Sequence, residues 1–511
     1  MELQLIRDNM ETEQRLSAKP VQITVEAEAA LPGGLREEAR VYYADAAAQV
    51  NGGEAAGNRV MTDGRVTFHV LYAQGDLSHV SALETSADFS QTLPLREENP
   101  PSAALRMAPR AEVQHVSAKA FNGRLILRAI VQLSAEGLAP AAVSFVRDAG
   151  EEDGVERATQ TLTIQRAVGE GEGQTLLREE LELAEVLQIQ DALYATAQAQ
   201  VEDILGGADG RAIVTGTITL EAYHTSAMPG RPLVYTRHAM PFEQAVGLSG
   251  ALGDAMAARS EVRDVAVLAQ DGPDGGKVMR AEVQLYTAVT AVENQEITAL
   301  RDVFTTQGEA VETTARHVTL RTGMISEQTA ESGKAALTLP DGSPRIKTPL
   351  LAFARPLLVK AERQKEKLAV DGILETTLLY LTEDSPIPVA IEQEEPFHAL
   401  FATQAEPTDE LRLAASQVEA SAITGDRVEL KYILHLLAQG VRTAEAEVLS
   451  EAVPVDAASV EPGIALYFIQ PGESAWDVAK RYRVPLSELQ QLNPELPDQP
   501  RPGTPVIAYR R

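Results

Sequence analysis

Eight histidines, no cysteine and a large excess of carboxylates make up the reactive inventory of this chain. The histidines, at positions 69, 79, 115, 224, 238, 317, 398 and 435, show no His-x-x-x-His or His-Glu-x-x-His spacing, so no metal site is expected. His69 and His435 fall in strand patterns and read as satisfied or edge residues. Without cysteine there are no disulfides, thiolate ligands or cysteine nucleophiles. No Gly-x-Ser-x-Gly elbow and no Walker loop is present. Glycoside hydrolysis needs a pair of carboxylates, but 74 acidic residues make chance pairs inevitable, and a solvated acidic surface is the expectation. The reading is therefore of a non-enzyme without a cofactor. Recognition chemistry concentrates instead in one stretch near the C-terminus, where Gly472-Glu473-Ser474-Ala475 and Asn493-Pro494 bracket two short helical patterns.

The elements that position those residues are readable in order. Leu466–Ile469 is an apolar strand candidate, closed by the turn dipeptide Pro471-Gly472. Ser474 is a good N-cap for a helix running to about Tyr482, with Trp476, Ala479 and Tyr482 on one stripe and Val478 beside it. Pro485 opens a second short helix lined by Leu486, Leu489 and Leu492, which Asn493-Pro494 stops. Pro502-Gly503 then turns the chain into a last strand, Val506–Tyr509. The order strand, helix, helix, strand over 465–511 resembles a LysM domain, a small α+β (βααβ) module. The resemblance rests on the run Tyr467 to Ser474, on Trp476-Asp477-Val478-Ala479 with Arg481-Tyr482, on Leu489 to Pro494, and on Pro502-Gly503.

That resemblance implies binding of N-acetylglucosamine-containing glycans in a groove formed by Gly472, Glu473, Ser474, Ala475, Asn493, Pro494 and Ile507. It implies a module core of Trp476, Val478, Leu489 and Leu492, with Trp476 packing inward rather than touching ligand. Ala475 stands where many members carry Leu or a larger residue, and weak retention on glycan is expected.

The totals limit the partners. At 511 residues the chain should hold three or four domains. Aromatics are only 5% against 44% apolar residues, so aliphatic side chains fill most of the core. A net charge of −29 argues against nucleic acid and anionic membrane surfaces, which require clustered Lys and Arg. The first residues lack a basic and then apolar leader, and no apolar run approaches the roughly 18 residues of a membrane span. A cytoplasmic protein without membrane insertion is the expectation.

Ahead of the C-terminal module the chain repeats itself. Val60–Tyr72, Ile213–Tyr223 and Leu368–Tyr380 each alternate apolar residues around a central glycine, at Gly64, Gly216 and Gly372. A glycine inside a strand suggests a bulge or a close backbone approach. Phe89, Phe242 and Phe397 follow at similar distances. Next comes a hairpin: Val113–Phe121 with Leu125–Leu133 around Asn122-Gly123, Val262–Leu268 with Val278–Leu285 around a loop 271–276, and Val418–Ile423 with Val428–Leu436 around Gly425-Asp426. Each copy should be a β sandwich or barrel. The expected boundaries are 1–148, 155–306 and 313–443, with a linker over 444–464. Leu176–Leu187 reads as helix or extended strand, and Gly169-Glu170-Gly171-Glu172-Gly173 as a mobile acidic loop.

These repeats resemble SPOCS domains, found in spore-coat-associated proteins of endospore-forming Firmicutes. The resemblance rests on the Asp-Gly strands ending in Leu71-Tyr72 and Leu379-Tyr380, on the Asn-Gly hairpin, and on Val168 to Gly173 followed by Leu177 to Leu181. The order of three repeats and a terminal LysM is similar to that of clostridial spore morphogenetic proteins. It implies a mainly β protein that scaffolds the spore coat from the mother-cell cytoplasm at the forespore surface. There its LysM would dock on a coat morphogenetic ATPase of the SpoIVA type. The alternative partner is peptidoglycan glycan of the cell wall or spore cortex.

Overall fold

A computed structural model describes residues 4–32, 38–96, 106–150, 154–271, 277–456, 462–497 and 499–510. Residues 272–276 of the expected loop 271–276 and the acidic residues 151–153 of the expected first boundary lie outside the described residues.

The chain is mainly β, and one strand pattern recurs three times. The first unit holds β1 (Leu5–Ser17), β2 (Val21–Ala30), β3 (Ala39–Ala56), β4 (Arg59–Gln74), β5 (Val80–Pro94), β6 (Arg106–Phe121) and β7 (Arg124–Ala149). The second holds β8 (Val155–Leu181), β9 (Ile189–Gly206), β10 (Arg211–Ser226), β11 (Leu233–Gly247), a short β12 (Ser249–Gly250), β13 (Ala255–Asp271) and β14 (Lys277–Thr305). The third holds β15 (Ala310–Thr338), β16 (Ile346–Gln364), β17 (Lys367–Thr382), β18 (Val389–Ala402), β19 (Glu410–Thr424) and β20 (Arg427–Val455).

Each unit pairs its strands in the same antiparallel way. A meander (β3-β4-β5, β9-β10-β11, β16-β17-β18) forms one sheet, which in the first unit runs on through the β3–β6 pairing at Glu54–Arg106 into a single seven-stranded sheet. The first strand of the unit joins the closing hairpin to form the other (β1 and β2 on β7-β6, β8-β14-β13, β15-β20-β19). In the second unit, Val214 and Ile218 of the meander share one core with Met279, Ala281, Val283 and Leu285 of the long sheet. This is a sandwich, with inward residues alternating along each strand.

The central glycines are explained by what lies over them. Gly64 pairs with Phe89, Gly216 with Phe242 and Gly372 with Phe397 across the meander. All three glycines fall on the core-facing side of their strand, and each partner ring folds into the notch left by the missing side chain. A Cβ on Gly216 would stand 2.8 Å from the Phe242 ring, and on Gly372 2.4 Å from that of Phe397. On the opposite flank the register shifts by one residue, and a Cβ on Gly216 would meet the carbonyl oxygen of Gln200 at 2.0 Å. Glycine thus permits a bulge on one side and an aromatic cover on the other. The Asn122-Gly123 turn has positive φ at both residues, 48° and 71°, as a two-residue hairpin requires.

Several stretches differ from their sequence reading. The segment 169–173 is strand, not loop: it lies in the middle of β8, paired with β14. Its glycines make room for the chain crossing at Gly247–Ala251, since a Cβ on Gly169 would sit 2.2 Å from the Ala251 oxygen. Leu176–Leu181 is extended, and only Glu185–Leu187 forms a short helical turn. Residues 444–455, expected in a linker, continue β20 and pair with the start of β15.

The long strands run well past their own sandwich, and the overhangs assemble the three units. Met10, Val143, Phe145, Leu162, Ile164, Val318, Leu320 and Val448 form one buried cluster drawn from all three. Val146, Leu300, Val303, Val311 and Leu449 form a second. At the meander ends, Tyr43, Tyr194 and Phe353, one from each unit, meet with ring centroids 3.8 to 6.1 Å apart. Arg110, Arg259 and Arg412 lie on β6, β13 and β19. Arg110 pairs with Glu410, and Arg412 reaches Glu261 at 2.6 Å, so the ion pairs also cross between units.

Gly216→Ala is expected to destabilise the protein by about 1–3 kcal/mol, because the new methyl overlaps a backbone oxygen and a buried ring. Gly52→Ala, where an added Cβ meets nothing within 4 Å, should change stability by less than about 0.5 kcal/mol. Urea unfolding of the two variants compares them directly.

Candidate binding site

The C-terminal module begins with β21 (Gly463–Phe468), continues through α1 (Ala475–Tyr482) and α2 (Leu486–Leu492), and closes with β22 (Pro505–Arg510), which pairs antiparallel with β21. Local chemistry fixes each junction. Ser474 and Asp477 form a reciprocal capping box: the Ser474 hydroxyl accepts from the Asp477 N–H, and the Asp477 carboxylate accepts from the Ser474 N–H at 2.7 Å. Arg483, in left-handed conformation with φ 53°, ends α1. Asn493 ends α2 and clips it to the outer strand, accepting from the Ile507 N–H and donating to the Ile507 oxygen, both at 2.8 Å.

The residues expected to line a groove divide into two groups. Asn493 and Ile507 are brought together by that clip. Glu473 and Ser474 are engaged elsewhere: the Glu473 carboxylate accepts from the Tyr467 hydroxyl at 2.7 Å, the Gln470 N–H at 2.9 Å and the Arg481 guanidinium at 2.7 Å. The Gln470 N–H and the Tyr467 hydroxyl hold the Glu473 carboxyl below its usual range. Gly472, Pro494 and Ile507 are exposed, and Gly472 has φ 85° with open space where a Cβ would be. Ala475 is buried, as the first turn of α1 packs inward, so it offers no surface to a ligand. The polar side chains here are thus largely satisfied within the module, and the free recognition groups are Gly472, Pro494 and the Ile507 side chain.

In the core, Trp476, Val478 and Leu489 are buried as the helical stripes require. Leu492 departs from its expected core position and is 45% exposed. It is the last residue of a seven-residue helix whose inward face is centred on Leu489, and a further turn would be needed to cover it.

Sequence reading missed the surface on which this module is seated. The Trp476 indole N–H donates to the Asp302 carboxylate at 2.8 Å, and the Lys480 ammonium donates to the same carboxylate at 2.6 and 2.8 Å and to the Thr313 hydroxyl at 3.0 Å. Phe304 meets the Trp476 ring edge-on with centroids 4.8 Å apart, and joins the module's own core. Arg483 donates to the backbone oxygens of Thr305 and Gly308, and the Leu486 N–H points to Glu156. Burial pushes the Asp302 carboxyl up, but its bonds to Lys480 and Trp476 outweigh this and hold it below the usual range. No sequence signal marks these contacts, because the partners lie more than 160 residues apart and Asp302 sits just after a register shift in β14.

Three of the histidines are held by neighbouring side chains. His435 bonds the Ser416 hydroxyl at 2.7 Å and His69 lies 3.6 Å from Glu84. His224, fully buried in β10, shares a proton with the Thr236 hydroxyl at 2.9 Å. Burial first, then the neighbouring His238, pushes its pKa down to about 4. Among the described residues no group of three or more His, Asp or Glu is placed to hold a metal ion. No described helix is long and apolar enough to cross a membrane.

Residues 467–507 match the LysM domain family, a class of binding module. No curated protein and no solved structure matches the chain.

Two predictions come from these contacts. Trp476 is the only tryptophan, so its emission reports the seat alone. Asp302→Ala should shift that emission to the red, while Asp63→Ala in the first unit should leave it unchanged. His224 stays neutral when folded, so the unfolded chain takes up the extra proton as pH falls below about 6.5, and stability is lost between there and about 4. The loss amounts to about 3 kcal/mol. Urea titrations of His224→Gln should lack this component.

Proposed function

We propose that the chain is a non-catalytic scaffold whose β body presents a LysM module for binding N-acetylglucosamine-containing glycan such as peptidoglycan. The observation that carries this reading is the LysM match over 467–507 on a module whose Gly472, Pro494 and Ile507 remain open to solvent. Among the described residues, the hydrogen bonds from module to body come from Trp476, Lys480, Arg483 and Leu486, none of which belongs to the expected groove. Body and ligand therefore use different residues of the same module. The buried Ala475 and the internally paired Glu473 leave few groups for sugar hydroxyls, which favours modest affinity for a single chain of glycan.

A second reading is favoured by the threefold repetition of one sandwich. In that reading the units are SPOCS-type repeats, the chain works in spore coat morphogenesis in the mother cell at the forespore surface, and the LysM docks on an ATPase of the SpoIVA type. Three copies of one unit provide repeated surfaces for a lattice-forming coat.

One experiment separates the readings. The full chain is incubated with purified peptidoglycan and, separately, with the purified ATPase. Retention on peptidoglycan, reduced about tenfold or more by Ile507→Glu, supports glycan binding. Capture by the ATPase without retention on peptidoglycan supports the coat scaffold. Failure on both removes both.

A further inference from the structure

The two strands of the C-terminal module carry an apolar face that none of the described residues covers. Along β21 the burial alternates, and the outward residues are Ile464, Leu466 and Phe468, exposed by 76%, 61% and 52%. Their cross-strand partners are Tyr509, Ile507 and Pro505 in turn, also exposed. The opposite face of the same sheet holds Val506 and Ala508, buried against the helices, which in turn sit on the body. The layers therefore run body, helices, sheet, and then six apolar side chains facing solvent.

A strand pair whose outer face met only water would be expected to alternate apolar with polar residues. Here every outward position on both strands from Ile464 to Phe468 and Pro505 to Tyr509 is apolar, and neither strand carries an acidic residue. This contrasts with a chain whose net charge is −29. Two copies approaching elsewhere would bring acidic surfaces together, whereas this face can meet its own copy without that repulsion. Large aromatic and aliphatic side chains exposed to this degree amount to about 600 Å² on one face, so two faces stacked about 10 Å apart would bury about 1,200 Å², the lower end of specific interfaces. A flat sheet face also suits isologous pairing, in which the same patch serves both partners.

We infer that this chain forms a twofold homodimer by stacking the β21–β22 faces of two C-terminal modules. The partner is a second copy of the chain, and the small area places the dimer at the weak end of specific interfaces. The stacking buries Ile507, one of the three open groove residues, so the dimer and a groove ligand compete for that side chain. Ile507 belongs to both the face and the groove, so Ile464 and Leu466, which lie outside the groove, are the residues to change.

Sedimentation velocity of the full chain from about 1 to 100 µM reads the equilibrium directly. The wild-type chain should move from monomer to dimer across that range, and Ile464→Lys with Leu466→Lys should weaken the dimer about tenfold or more. Both side chains are exposed, so the doubly substituted chain should keep the wild-type Trp476 emission, which confirms that the module is folded. Because the chain has no cysteine, single-cysteine variants give a second readout. Leu466→Cys should be joined to its copy by a short bis-maleimide, while Val186→Cys, 69% exposed on the turn after β8, should not. A chain that stays monomeric throughout would leave the face to a different protein and overturn the inference. So would a dimer that survives both lysines, or equal cross-linking at the two cysteines.

Discussion

The Asp302 carboxylate is the contact through which the two parts of this molecule become one. It takes the Trp476 indole and the Lys480 ammonium together and adds the Thr313 hydroxyl. The carboxylate is only 18% solvent-exposed, and leaving it without these donors would strand a charge at a nearly dry interface. A small module of two short helices and two strands has little core of its own. Phe304 of the body completes that core against Trp476, so the module borrows both a charge partner and a hydrophobic neighbour from β14.

What brings Asp302 to that position is the length of the closing strands. Each sandwich needs only the first half of β7, β14 and β20 to cover its meander. The remaining halves extend beyond it, where they would expose apolar residues unless they packed on one another. They do so in two clusters drawn from all three units. The body is thus held at one end by the strand overhangs and at the other by Tyr43, Tyr194 and Phe353, with the ion pairs of Arg110 and Arg412 between units. The module sits where the overhang of β14 ends.

Much of this was legible in local pattern. The glycine at the centre of each meander strand, the phenylalanine that follows, and the hairpin after it are all short-range signals, and the structure joins the first two as cross-strand partners. The N-cap at Ser474 and the buried faces of Trp476, Val478 and Leu489 were equally plain. Three kinds of feature were not. The overhangs are rich in Ala, Thr and charged residues and are broken by register shifts, so period-two alternation fades in them. The acidic glycine run at 169–173 has loop composition but serves as strand because a crossing segment needs the space. The seat at Asp302 joins residues far apart in sequence, and no spacing rule reaches that distance. In the candidate groove, exposure was the illegible part: Ala475 is buried and Leu492 is not, since each depends on how far a very short helix extends over its neighbours.

The central claim is that the LysM module moves as one body with the three sandwiches, held by Asp302 and Phe304. Time-resolved fluorescence anisotropy of Trp476, the only tryptophan, measures this most directly. The account predicts a final decay set by tumbling of the whole chain, with no faster component from module motion. A dominant decay of a few nanoseconds, the tumbling time of a module of about 50 residues swinging on a tether, would contradict it.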